Sequence, residues 1–256
     1  MSKQVPDVSP SESLPILYQD QWLVAVHKPA GLLVHRSEID RRETRFAMAI
    51  LREQLGRKVF PVHRLDKPTS GILLFALDRD TAASVAIQFE NHAVRKRYLT
   101  VVRGYPPLGG IIRHPLSVKD DRRSRKTLDV ENQSALTCYH RLARAELPFA
   151  VDKRYPASRY SLVALHPRTG RRHQLRRHMK HISHPIIGDS TYGKGNHNRF
   201  FRDQFNVDRL LLAATNLQLK HPVTGEALHL EAKPSQDFQT ALEALGWHHQ
   251  GSPPQV

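Results

Sequence analysis

One stretch of the chain concentrates groups that can do chemistry: Val62-His63-Arg64-Leu65-Asp66-Lys67-Pro68-Thr69-Ser70-Gly71-Ile72-Leu73-Leu74. Asp66 lies in a turn crowded by Arg64 and Lys67, just before an apolar run of strand length. Pro68 and Gly71 are residue types that hold a turn in one geometry. Cations beside a carboxylate favour its ionised form, and an ionised, fixed carboxylate can serve as nucleophile or base. The same residues also fit an aspartate that caps a turn and pairs with a neighbouring arginine, and the motif alone leaves both readings open.

Four histidines, His173, His178, His181 and His184, raise the question of a metal. His173 and His178 are five apart rather than the four that would align them on a helix, and no acidic residue lies close by. The expectation is therefore no metal site, with these rings touching phosphate or satisfied at the surface. Clustered carboxylates of the kind two-metal nucleases use are missing too. Cys138 is the only cysteine, so the chain cannot form an intrachain disulfide, a thiolate zinc cluster or a dithiol redox pair. That fits a reducing compartment.

The elements that must position Asp66 are short and mixed. Strand character covers Ile16 to Val26 and resumes at Leu32-Leu33-Val34 after the break Lys28-Pro29-Ala30-Gly31. Thr44 to Leu55 has helical spacing of Phe46, Ala47, Ile50, Leu51 and Leu55, with Gly56 to end it. Ile72 to Leu77 reads as a strand and Thr81 to His92 as a helix capped by Asp80. Further strands are expected at Arg97 to Arg103, Ala135 to Leu142, Tyr160 to Leu165, Leu210 to Leu219 and Ala227 to Leu230. Helices are expected at Arg171 to Ile182 and at Ser235 to Leu245, the latter with Ser235 as its cap. Pro106 to Asn132 reads as turns and a mobile basic loop. Strands and helices do not alternate strictly, and His-Pro pairs interrupt the chain, so the expected class is α+β with a mainly antiparallel sheet. Residues 1–13 and 249–256 are expected as disordered tails around one folded domain spanning 14–248.

With 39 Lys plus Arg against 24 Asp plus Glu, the net charge is +15. A surface that positive draws in polyanions. Its charge is gathered in clusters, Arg122, Arg123, Arg125 and Lys126, then Arg168, Arg171, Arg172, Arg176 and Arg177, which points to nucleic acid. The N-terminal stretch lacks the apolar core of a signal peptide, and no apolar run approaches the ~20 residues that span a bilayer. The expectation is a cytoplasmic protein, with no membrane and no obligate protein partner, acting as a monomer.

The ordered motifs carry a resemblance. His63-Arg64-Leu65-Asp66-Lys67-Pro68-Thr69-Ser70-Gly71 resembles the signature of the RluA-type pseudouridine synthases. Lys96-Arg97-Tyr98-Leu99 is similar to the second motif of that family. Thr169-Gly170-Arg171-Arg172-His173-Gln174-Leu175-Arg176-Arg177-His178 resembles the third. His184 to Asp189 with Tyr192-Gly193, and the early Val26 to Gly31, are also similar, so the likeness runs from residue 16 to about 245. Val34-His35-Arg36-Ser37 and Arg159-Tyr160 narrow it to the members that modify uridine 65 in the T-stem of certain tRNAs. A synthase acting on ribosomal RNA and a catalytically silent RNA-binding protein of the same fold are the alternatives. One position departs: relatives carry His-Ala where this chain has Ala213-Ala214, a place expected to be structural.

The resemblance implies an isomerase that breaks the C1′–N1 glycosidic bond of uridine and rejoins the base through C5, with no metal and no redox cofactor. It gives Asp66 the role of catalytic carboxylate and leaves open whether Asp66 attacks C1′, attacks C6 or removes a ribose proton. Arg176 is expected to pair with Asp66, Tyr98 to hold the detached uracil, and Leu175 to pack under it. Arg64 is expected either to fill the space left by a flipped nucleotide or to touch phosphate. His63 and Arg171 complete the expected substrate-binding set.

Overall fold

The strand that follows Asp66, Ser70–Ala76, is buried at all seven positions, and such continuous burial marks a strand covered on both faces. The rest of the fold is arranged around it. The computed structural model describes residues 13–36, 44–117 and 132–247. The expected tails lie outside these residues, apart from Ser13. Part of the basic loop does too, including Arg122, Arg123, Arg125 and Lys126.

In chain order the elements are β1 (Ile16–Gln19), β2 (Leu23–Lys28), α1 (Ala47–Leu55), β3 (Phe60–Pro61), β4 (Ser70–Ala76), α2 (Arg79–Glu90) and β5 (Arg95–Arg103). Then come β6 (Gly109–Arg113), β7 (Leu116–Ser117), β8 (Asn132–Gln133), β9 (Leu136–Leu147) and β10 (Ser158–Pro167). The last are α3 (Gln174–His181), α4 (Gly195–Phe205), β11 (Leu212–Lys220), β12 (Ala227–Glu231) and α5 (Gln236–Ala244). The main sheet has the order β1-β2-β4-β11-β5-β10-β9-β6, with β12 beside β11 and β3 beside β4. Every pairing is antiparallel except β4 with β11, which is parallel. The α+β expectation holds.

Alternation along the strands sends side chains to two layers. One face buries Val24, Val26, Leu73 and Phe75 against Ala47 and Leu51 of α1, and Val102, Val163 and Leu165 against Leu175 and Met179 of α3. The other buries Leu23, Ala25, Ile72 and Leu74 against Val85 of α2, and Val101, Tyr160 and Ala213 against Phe201, Phe238 and Leu242 of α4 and α5. Each Val, Leu, Ile, Phe or Met side chain among them contributes about 1.5–3 kcal/mol by leaving water. Tyr98 lies on the first face, where its ring packs against both apolar clusters.

The structure corrects several local expectations. The first strand is split, because the Asp20 carboxylate accepts the N–H groups of Trp22 and Leu23 and turns the chain there. The cap of α2 is Asp78, not Asp80: its carboxylate accepts the Thr81 N–H and hydroxyl. Ser235 precedes α5 without a side-chain cap bond; its hydroxyl donates to Asp237 instead. α3 starts at Gln174, later than expected, since the Arg171 N–H goes to the Gln174 side chain. Within the stretch read as loop, β6 forms a ladder with β9 over Gly109–Arg113. α4 has no counterpart among the expected elements; its sequence opens with Gly195 and Asn196, both poor helix formers.

Candidate active site

The turn that carries Asp66 is held from below. Thr69 N–H donates to the Asp66 carbonyl at 3.0 Å, closing the turn. Gly31 N–H donates to the Lys67 carbonyl at 2.9 Å. Lys28, the last residue of β2, is fully buried. Its ammonium donates to the carbonyls of Pro29 at 2.8 Å, Leu32 at 2.7 Å and Lys67 at 3.1 Å. One side chain thus ties the Lys28–Gly31 break to the Asp66 turn. Burial, with the nearby Arg209 charge, pulls the Lys28 ammonium down to about 7, while Asp66 acts the other way.

The register of β4 against β11 places that turn. Gly71 has φ +107, and a Cβ there would lie 2.1 Å from the Ala214 carbonyl oxygen, so the two strands meet at a distance only glycine permits. Ala214 in turn pairs with Tyr98 of β5. The carboxylate and the tyrosine, 32 residues apart in sequence, come together through this junction. Burial raises the Tyr98 hydroxyl well above its ordinary value, and the Asp66 charge adds to the effect. The phenol keeps its proton at neutral pH.

Arg176 reaches Asp66 from the opposite side. It is 4% exposed and sits in the first turn of α3. Nε and Nη2 each donate to Asp189 at 2.8 Å, a bidentate pair. Nη1 is left to face Asp66 Oδ2 at 3.5 Å. Burial opposes the charge of Arg176, but Asp189 and then Asp66 outweigh it and hold the guanidinium above its usual value. Burial likewise opposes the Asp189 charge, and the Arg176 bonds with the N–H groups of Tyr192 and Thr191 pull it below its usual value. The expected pairing of Arg176 with Asp66 is therefore present, but as the looser arm of a three-residue array.

Asp189, Lys28 and Tyr192 fall in the quoted motifs but carry no role in the sequence reading, and His173 is expected there only at phosphate or at the surface. Asp189 sits in a buried loop, where an acid must find a partner; that partner lies 13 residues away and shows only in the fold. The Tyr192 ring lies under Arg176, at 5.1 Å from the guanidinium carbon, and its hydroxyl is 3.0 Å from His173 Nδ1. His173 Nε2 is 4.0 Å from Asp66 Oδ1.

The other expected substrate residues divide. Leu175 is buried in the cluster that Tyr98 packs against, as a floor for a base would require. Arg64 is exposed beside Asp66. His63 is not turned to the cleft: its Nε2 accepts the Leu74 N–H at 3.0 Å and its ring stacks on Phe89 of α2. Burial pushes this ring down to about 3, which keeps the lone pair that Leu74 needs. Arg171 donates to the Ser134 carbonyl at 3.1 Å and so tethers the chain ahead of β9. His178 is spent on Thr137 and the His114 carbonyl, and His184 on the Arg103 carbonyl. Among the described residues no three or more His, Cys, Asp or Glu side chains are grouped to hold a metal. No helix among them is long and apolar enough to cross a membrane.

A carboxylate, a guanidinium and a phenol gathered on one face of a mostly antiparallel sheet define the class together with the sequence match. Residues 22–181 match the model of the RNA pseudouridylate synthase family, and the chain belongs to that family. Among its relatives, a protein of Vibrio cholerae named tRNA pseudouridine synthase C is 48% identical over 91% of this chain and 96% of its own. One of the same name from Yersinia pestis is 50% identical over 91% of each. The solved structure of human RNA Pseudouridylate Synthase Domain Containing 4 superposes with a TM-score of 0.67 at 29% identity, covering 91% of this chain and 93% of that one.

Proposed function

We propose that this protein isomerises a specific uridine of tRNA to pseudouridine, with Asp66 as catalytic carboxylate. The observation that carries the reading is the facing of Asp66 and Arg176 across 3.5 Å, beside Tyr98, within a chain of this family. Support for tRNA as the substrate comes from the names of the relatives at 48% and 50% identity. Uridine 65 in the T-stem is the position that the sequence resemblance favours.

A stem uridine must leave its stack before any side chain can reach its ribose, at a cost of a few kcal/mol. Arg64, exposed and two residues from Asp66, is taken either to enter the vacated space or to touch phosphate. Leu175 and Tyr98 offer the flipped base an apolar seat. Arg176 gives the carboxylate a charge-assisted partner when substrate displaces water. The net reaction breaks the N1–C1′ bond, makes C5–C1′, releases the C5 proton and leaves one on N1. It needs no external oxidant or reductant. One copy of the chain supplies Asp66, Tyr98 and Arg176, and the reading takes the protein as a cytoplasmic monomer with one folded domain over 14–248.

The test is tritium release from tRNA labelled at uracil C5. Wild-type protein is expected to release label, and Asp66→Ala to bind the same tRNA while releasing none. Full release by Asp66→Ala would refute the assignment of the carboxylate. Release from ribosomal RNA alone would move the substrate to the other branch of the family.

A further inference from the structure

His173 precedes α3 in a conformation that few side chains adopt. Its φ is 52° and its ψ 25°, the left-handed region, which is unfavourable for a non-glycine residue. Such backbone strain persists where the surroundings over-determine it, and it gathers at functional sites. Here the surroundings are explicit. Nδ1 lies 3.0 Å from the Tyr192 hydroxyl, and the two rings meet edge to face with centroids 5.7 Å apart. The opposite ring nitrogen, Nε2, faces Asp66 Oδ1 at 4.0 Å. The two oxygens of Asp66 are thus addressed by different residues, Oδ2 by Arg176 and Oδ1 by His173.

Electrostatics selects the tautomer. If Nδ1 carried the proton, the Nε2 lone pair would point at an anionic oxygen. If the Tyr192 hydroxyl donates to Nδ1, the proton sits on Nε2 and points at an acceptor, which is the favourable arrangement. Burial pulls the ring below its ordinary value; Asp66 opposes this, Arg176 and Arg172 reinforce it, and Asp189 opposes it. The ring is a neutral donor at neutral pH.

Arg176 cannot fix Asp66 by itself. Two of its nitrogens are committed to Asp189, and the third meets only one carboxylate oxygen. A carboxylate held through one oxygen can still turn about its Cβ–Cγ bond. Resting on the pseudouridine synthase reading, we infer that His173 is a positioning residue: clamped by Tyr192, it presents an Nε2–H to Asp66 Oδ1 and stops that rotation as the ribose enters. A separation of 4.0 Å is too long for a hydrogen bond. Bonds of this kind are often long in an unliganded site and tighten when substrate displaces water.

Steady-state tritium release from C5-labelled tRNA tests this with three variants. His173→Gly keeps the left-handed backbone and removes the ring. It is expected to melt like the wild type and to lose about ten- to a hundredfold in kcat, with the KM for tRNA within about twofold. His173→Gln restores an N–H donor of similar reach and should recover most of that loss. Tyr192→Phe keeps the ring beneath Arg176, removes the hydroxyl and should lower kcat in the same direction by less. Unchanged kcat in His173→Gly, equal kcat in the Gly and Gln variants, or a loss confined to KM would overturn the inference. A wild-type protein that releases no label from any RNA would overturn the parent reading, and this one with it.

Discussion

At the scale of single residues, the site depends on which groups have spare valence. Arg176 satisfies buried Asp189 with two nitrogens and keeps one for Asp66. A lysine is a point charge and cannot do both. Arg176→Lys is therefore expected to cut tritium release about a hundredfold. It should also lower stability by about 3 kcal/mol, because the fully buried Asp189 carboxylate loses part of its pairing. Binding of tRNA should change by less than about threefold, since phosphate contacts are spread over many cations. Paired kinetics, melting and filter binding separate these three outcomes, and full activity in Arg176→Lys would show that the fork geometry is not needed. Lys28 works by the same logic in reverse: its three N–H donors are spent on three carbonyls, so its role is to hold two turns together.

At the scale of elements, the critical joint is the short parallel contact of β4 with β11, Ser70 opposite Ala213 and Gly71 opposite Ala214. It sets the Asp66 turn against Tyr98 through β5. Gly71→Ala would drive a methyl into the Ala214 backbone at a φ of +107. Its expected cost is about 2–4 kcal/mol, read as a lower urea midpoint, with a matching loss of activity. Gly56→Ala is the control. That glycine ends α1 with φ +64, and nothing lies within 4 Å of its added Cβ, so only backbone strain of about 1 kcal/mol applies. Equal effects at the two positions would mean that the β4–β11 approach is not tight. Ala213, the position where the sequence departs from the expected motif, is buried in the layer beneath α4 and α5.

At the scale of the whole molecule, a net charge of +15 governs how substrate arrives. Neutralising several phosphates releases their counterions, so affinity for tRNA is expected to fall about a hundredfold or more between ~50 and ~200 mM salt. A flat salt response in a binding titration would argue against phosphate-led docking. The two-layer packing gives this charge a rigid base. Both faces of the central strands are covered by helices, while Arg176 of α3 faces Asp66 and Lys180 of the same helix lies over the Tyr192 ring.

Residue order alone carries the local grammar of this protein: an acid in a cationic turn before a buried strand, motifs in a fixed order, a basic balance and a mixed α+β pattern. Those properties are short-range or compositional and draw attention to Asp66, while Tyr98 and Arg176 are singled out only by the resemblance of the ordered motifs. Features that depend on distant partners are misread at that level. His63 stands three residues from Asp66, yet its lone pair is taken by Leu74. Asp78, not Asp80, caps α2, because the choice rests on where Thr81 points its N–H. α4 opens on the poor helix formers Gly195 and Asn196, and its buried side, Phe201 and His197, is set against the sheet. It took the folded arrangement to make Asp189 the main partner of Arg176, to clamp the Asp66 turn with Lys28 and to set His173 facing Asp66. Each of these joins residues 13 to 107 positions apart, and a buried polar group is satisfied by what folding brings within reach, not by what stands beside it in the chain.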